Sequence, residues 1–226
     1  MAVDLLDREV YSTGEAARLL GLNINTARRW LDGFSQAGRR YRPVVRIEPT
    51  GSDIVTWGEF VELGYLREYR AKRVSLQKLR PAVDRLREEL RVAYPLAHAR
   101  PFIDEYRELV LEIQQETDLD RRLYMVVSRG GQLRLTEPAE AYLEKVEFIG
   151  DGAVRFRPAG PSSPVLIDPK VSFGIPQIRG IRTEAIVELF RAKEPIELIA
   201  GGFDLPVSDV EAAIRFELDS LAESAA

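Results

Sequence analysis

Apolar residues fall at helical spacing twice in quick succession between Ser12 and Leu31. Ala16, Leu19 and Leu20 make the inward stripe of one short helix; Ile24, Ala27 and Leu31 make that of a second, with Trp30 placed to roof the pair. Ser12 and Glu15 stand three apart, the spacing of a capping box. Gly21 supplies the left-handed residue that a sharp turn needs, and Asn23 opens the second helix. The outward positions of that helix are Asn25, Thr26, Arg28 and Arg29. The pattern predicts a helix-turn-helix whose second helix offers an amide, a hydroxyl and two guanidiniums to a duplex. The competing reading is a plain helical hairpin with arginines on a solvated face.

Farther along, the β-prone runs Gly38–Ile47 and Ile54–Thr56 flank Glu48-Pro-Thr-Gly-Ser-Asp53. They predict a hairpin, the wing of a winged helix-turn-helix, with Arg39, Arg40, Arg42 and Arg46 on or near its first arm. Thr56, with Glu59 as box partner, caps a helix through Phe60, Leu63 and Leu66. From Val74 to Val92 apolar residues at 76, 79, 83, 86 and 90 form a surface-helix stripe, and Pro81 predicts a kink or split near Arg80. In the middle, Leu109, Leu111 and Ile113 alternate as a strand does, although helix is also compatible. Tyr124–Val127 and Gln132–Leu135 bracket Gly130-Gly131 as a hairpin; Thr136 and Pro138 open a helix to about Val146, and Val154–Arg157 reads as a strand. After the loop 159–164 come a strand, Val165–Ile167, and three helices, Thr183–Ala192, Pro195–Ala200 and Ser208 to about Leu218. Gly201-Gly202 should end the second, and Ser208 with Glu211 should box the third. The expected fold is α+β, mainly α. It comprises a winged helix-turn-helix over 1–92, a small α+β connector over 93–160 and a trihelical helix-turn-helix domain over 161–226.

Charge sharpens this picture. The net charge of −4 over 226 residues conceals segregation. Gly14–Arg46 holds seven arginines against Glu15 and Asp32, and Arg67–Arg91 nine bases against four acids. Pro101–Asp151 has twelve acids to six bases, and the stretch from Arg182 onward ten acids to four bases. A basic front and an acidic back imply partners of opposite sign, with DNA at the front only, since an acidic C-terminal helix would be repelled by phosphates. Asn25 and Arg28 are candidates for base edges; Thr26, Arg29 and the wing arginines are candidates for phosphates.

Chemistry beyond binding finds little support. There is no cysteine, which excludes disulfides and thiolate metal sites and fits a reducing cytosol. His98 stands alone, the glycine pairs are turn or cap residues, and no Gly-x-Ser-x-Gly elbow occurs. No apolar run approaches the roughly 20 residues of a membrane span. The expectation is a cytoplasmic, non-enzymatic protein needing no metal or cofactor.

Two resemblances extend the reading. YSTGEAARLLGLNINTARRWL, then the wing, TWGEFVELGYLREYR and VSLQKLRPAVDRLREEL, resembles the MerR-type winged helix-turn-helix. This implies that Thr26, Arg28 and Arg29 are recognition-helix contacts. No cysteine metal site or long dimerising coiled coil follows, so a metal- or drug-sensing activator is not expected. IDPKVSFGIPQIRGIR, the helix to Phe190 and PIELIAGGFDLPVSDVEAAIRFEL are similar to the DUF433 domain of bacterial antitoxins, with Pro169, Gly174, Pro176 and Gly180 at its Pro/Gly positions. The whole resembles a VapB-type antitoxin. That implies a type II toxin–antitoxin module, a PIN-like ribonuclease toxin as partner, repression of its own promoter and a homodimer within a larger complex. Arg155, Arg157, Arg179 and Arg182 are candidates for entering an acidic nuclease pocket; alternatively, the acidic surface covers a basic RNA-binding face. A stand-alone MerR-like regulator sensing a ligand in its C-terminal half, and a pure assembly module, are the competing readings.

Overall fold

The computed structural model describes residues 4–70 and 75–225, so the predicted helix start at Val74 lies outside the described residues. In chain order the elements are β1 Glu9–Ser12, α1 Thr13–Leu19, α2 Ile24–Asp32, β2 Phe34–Gln36, β3 Arg39–Tyr41, β4 Ile54–Thr56, α3 Trp57–Tyr69 and α4 Arg80–Leu90. The middle holds α5 Arg107–Glu116, β5 Val126–Arg129, β6 Gln132–Leu135, α6 Glu137–Leu143, β7 Val146–Ile149 and β8 Gly152–Phe156. The last part holds β9 Gln177–Ile178, β10 Ile181–Arg182, α7 Thr183–Arg191, α8 Ile196–Phe203 and α9 Val207–Ala225. Helix predominates, and among the described residues the strands pair as two-stranded antiparallel ribbons. No helix among the described residues is long and apolar enough to cross a membrane.

Local signals act where the side chains can reach their own backbone. Ser12 and Glu15 form a reciprocal capping box on α1, and Thr56 and Glu59 form one on α3. Asn23 caps α2 through its own side chain, and Gly21 takes φ 59° in the turn before it. Pro81 sits in the first turn of α4, with a separate 3-10 turn, Leu76–Leu79, ahead of it.

Helix α3 is the axis of the molecule. All of its residues except Arg67 and Glu68 are buried, so it is covered on every face rather than along one stripe. Phe156 of β8 meets Phe60 edge-on at 5.6 Å and lies against Gly64, where a Cβ would come within 3.1 Å of its ring. The Trp57 indole donates to the Ala153 carbonyl at 2.8 Å. One apolar cluster runs without a break from α1 through α3 to α9. Helix α9 packs along α1, and the Tyr11 hydroxyl of β1 donates to the Gly174 carbonyl.

Several elements differ from expectation. The front hairpin is β2 with β3, turning at Ala37 (φ 49°) and Gly38 (φ 76°), whereas β4 pairs with β1 instead of with the run before it. Two successive left-handed residues suit a tight hairpin, which the longer Pro/Gly/Ser segment does not offer. The Leu109–Ile113 stretch lies within helix α5. Helix α8 runs through Gly201-Gly202 and ends at left-handed Asp204. Helix α9 starts at Val207, which puts Ser208 inside its first turn instead of ahead of it.

Candidate nucleic-acid interface

Helix α2 presents its polar side outward because Ala27, Trp30 and Leu31 are committed to the core. Asn25, Arg28 and Arg29 are exposed and Thr26 is half-buried. Arg28 lies 3.9 Å from Asp53, a long pair between two exposed side chains that holds it only weakly. Asn25 makes no side-chain hydrogen bond among the described residues, its backbone N–H being taken by the Asn23 cap at 2.9 Å.

The β2–β3 hairpin stands beside this helix and carries a stack of four side chains. Phe34 and Tyr41 stack at 4.5 Å; the Arg29 guanidinium lies 5.1 Å from the Phe34 ring centroid and that of Arg39 5.2 Å from Tyr41. Such contacts orient a cation without neutralising it. Arg40 is exposed and free of any ion pair among the described residues, whereas Arg42 is held by Glu48. Helix α2 and the hairpin therefore bring Arg29 and Arg39 together on the aromatic face of the hairpin, beside the outward Asn25, Thr26 and Arg28, while Arg40 alternates to the opposite face of β3.

Arg46 does not belong with them, and this corrects the expectation that it rests on phosphates. It is 6% exposed and its guanidinium is consumed internally. Nε donates to Glu59 at 2.7 Å, Nη1 to Asp32 at 2.9 Å and Nη2 to the Ile54 carbonyl at 2.7 Å. The same segment explains the missing strand. The N–H groups of Val44 and Val45 donate to the Trp30 carbonyl at 2.9 and 3.0 Å. From α4, Arg80 donates to the carbonyls of Pro43 and Ile47, and Arg87 to that of Val45. Residues 43–47 have their backbone partners among guanidiniums and a helix end, so no ladder forms.

Burial of these arginines is matched by buried carboxylates. Burial, the largest influence on Asp32, acts to raise its pKa, yet hydrogen bonds from Thr50, Arg46 and Gly51 together bring it below the usual value. Glu62 is fully buried and pushed up to about 7 by desolvation, against the pull of Arg87 at 3.6 Å and the Leu96 N–H.

The rear candidates are mostly engaged within the chain. Arg155 binds Asp168 at 2.8 Å and Glu147 at 3.0 Å, Arg179 binds Asp209 at 2.9 Å, and Arg157 donates to the Ser163 carbonyl at 3.3 Å. Arg182 is exposed and has no ion pair among the described residues. Front and rear also meet directly. Arg18 of α1 pairs with Glu217 of α9 at 3.2 Å, and Glu217 accepts from Thr183 of α7 at 2.6 Å. Exposed Leu189, Phe190 and Leu198 sit on α7 and α8 among Glu184, Glu188, Glu194 and Glu197. Among the described residues no group of His, Asp or Glu has the arrangement of a metal site. Arg70, at the end of α3 and on the same side as Arg29, escapes a reading of sequence because it sits in a run where acids and bases mix.

Residues 165–216 match DUF433, described as a protein of unknown function, so the rear of the chain is a DUF433 domain. The chain belongs to the family of Uncharacterized protein Rv2308 of Mycobacterium tuberculosis (strain ATCC 25618 / H37Rv); the two are 32% identical over 220 residues, 94% of this chain and 91% of that protein. It is also 24% identical over 236 residues to "Putative antitoxin VapB45" of the same organism, covering 96% of this chain and 95% of that one. The fold is similar to the crystal structure of Rv2018 from Mycobacterium tuberculosis, with a TM-score of 0.77, 24% identity, and coverage of 93% of this chain and 100% of that chain.

Proposed function

We propose that this protein is the antitoxin of a type II toxin–antitoxin pair, binding promoter DNA through α2 and the β2–β3 hairpin and a PIN-like ribonuclease toxin through its acidic rear. The observation that carries the DNA half is the set of exposed Asn25, Arg28 and Arg29 on the outward face of a capped helix, with Arg29 and Arg39 stacked on the Phe34–Tyr41 rings of the adjoining hairpin. Asn and Arg have the donor geometry to read adenine and guanine edges, and the hairpin cations suit phosphates. A MerR-like winged arrangement and a homodimer that spans two half-sites belong to the same reading. Similarity over nearly the whole chain to the protein named "Putative antitoxin VapB45" supports the toxin half. Within it, covering of a basic RNA-binding face by the acidic surface is favoured over arginine insertion, because Arg155, Arg157 and Arg179 are already engaged within the chain.

Ligand sensing within the apolar core of the middle segment is disfavoured. The apolar cavity between α4 and α5, lined by Leu86, Val110 and Gln114, holds about 10 Å³, room for one water. The amide of Gln114 is already satisfied by Val126 and Met125. The test uses the intact chain, because α9 packs on α1. The chain should shift a fragment of its own upstream region with steep salt dependence and should co-purify with, and inhibit, a nuclease from the adjacent reading frame. Failure of both at low ionic strength would overturn the reading.

A further inference from the structure

A recess of about 240 Å³ lies beside α2, lined by Thr26, Arg29, Trp30, Phe34, Arg70, Ser75, Leu76 and Gln77. Its chemistry is one-sided. It contains two guanidiniums and two hydroxyls, and no carboxylate among the described residues that line it. The Arg29 guanidinium lies over the Phe34 ring, and neither it nor that of Arg70 has an ion pair or hydrogen bond among the described residues. Ser75 precedes the Leu76–Leu79 turn without making a side-chain cap bond. The Gln77 amide nitrogen is buried and has no acceptor among the described residues. A buried donor without an acceptor is destabilising, so such a group calls for a partner. Trp30 and Leu76 are largely buried and give the recess an apolar floor, which strengthens any charge pair formed above it.

We propose that this recess is a phosphoryl-binding site in which Arg29 and Arg70 supply charge and Thr26, Ser75 and Gln77 supply neutral donors. The volume accommodates a tetrahedral oxyanion with its waters, since one water occupies about 30 Å³ of liquid. The Phe34 ring holds Arg29 at the rim, and Arg70 comes from a different helix, so the two cations converge from separate elements. The group bound is a phosphodiester of duplex DNA or a free phosphate. The first source rests on the DNA-binding reading above; the second does not.

The experiment has two arms, each on the full chain. In the first, inorganic phosphate is titrated at constant ionic strength and its ³¹P line width is followed with wild type, Arg70→Gln, Arg70→Lys and Gln77→Leu. The second measures the salt dependence of affinity for a promoter duplex with the same variants, and thermal melting verifies that each is folded. Broadening with wild type that disappears in Arg70→Gln, weakens in Gln77→Leu and returns in Arg70→Lys supports the site. If the slope of log affinity against log salt also falls by about 1 in Arg70→Gln, the occupant is a DNA phosphate. Lost broadening with an unchanged slope assigns the site to free phosphate. Should the wild type bind no duplex, the DNA reading fails while the phosphate arm still judges the recess. Folded Arg70→Gln that matches wild type in both arms overturns the proposal.

Discussion

The arginines of α2 and the β2–β3 hairpin and those of the 43–47 segment and α4 look alike in composition and have opposite fates. Arg28, Arg29, Arg39 and Arg40 are exposed and at most lightly held. Arg46, Arg80 and Arg87 are buried and occupied by carbonyls and carboxylates. The first group keeps its charge available to a phosphate; the second spends it on fixing an irregular segment against α4. Counting bases along a chain therefore overstates a nucleic-acid face. The relevant quantity is the number of guanidiniums left without an internal acceptor.

The contrast can be tested by removing one member at a time. Arg46→Ala leaves Glu59 and Asp32 buried or half-buried without their partner and should cost about 3–5 kcal/mol in chemical denaturation. Arg40→Ala in the same assay should stay within about 0.5 kcal/mol of wild type. Equal losses would erase the distinction.

Glu62 gives the next effect. Its folded pKa of about 7 lies above the ordinary 4.5, so the folded state binds the proton more tightly than the unfolded chain. Its contribution is then fully present below pH 4.5 and is lost as pH rises toward 7. Relative to Glu62→Gln, wild type should lose roughly 3 kcal/mol across that window, read from paired unfolding curves. Parallel curves for the two proteins would show that the carboxylate is ionised throughout.

Arg28→Ala should weaken promoter binding by about 1–3 kcal/mol if the side chain reads a base, with the loss concentrated at one operator position. Uniform loss on every sequence would make it a backbone contact. The smallest change is expected for Tyr41→Leu, which removes the ring under Arg39 and the stack on Phe34. Binding should fall by roughly 0.5–1 kcal/mol with melting almost unchanged. An unaltered affinity would mean the stack does not orient the cation.

Much of the front was legible because its signals are short-range. Ser12 and Glu15, Thr56 and Glu59, and the Asn23 cap act within a single helical turn, and each forms as the spacing predicts. The Gly130-Gly131 hairpin is of the same kind, both glycines taking positive φ between β5 and β6. The errors lie where a partner is remote. Ile54–Thr56 pairs with β1, about 45 residues earlier, and the carbonyls that would have extended the hairpin are taken by α4. In the candidate site, α2 supplied residues that could be read from periodicity. Arg70, Ser75 and Gln77 reach it from elements separated by dozens of positions, and no periodicity marks them.

By itself the sequence determined where the front helices begin and turn, and which face of α2 is polar, because capping, left-handed glycine and the 3.6-residue repeat act over three or four residues. The tertiary structure alone decided which arginines are free, that α3 is buried on every side and that α9 rests on α1 through Arg18 and Glu217. The reason is electrostatic as well as steric: a buried guanidinium must find acceptors, and those acceptors come from wherever the chain has brought its carbonyls and carboxylates.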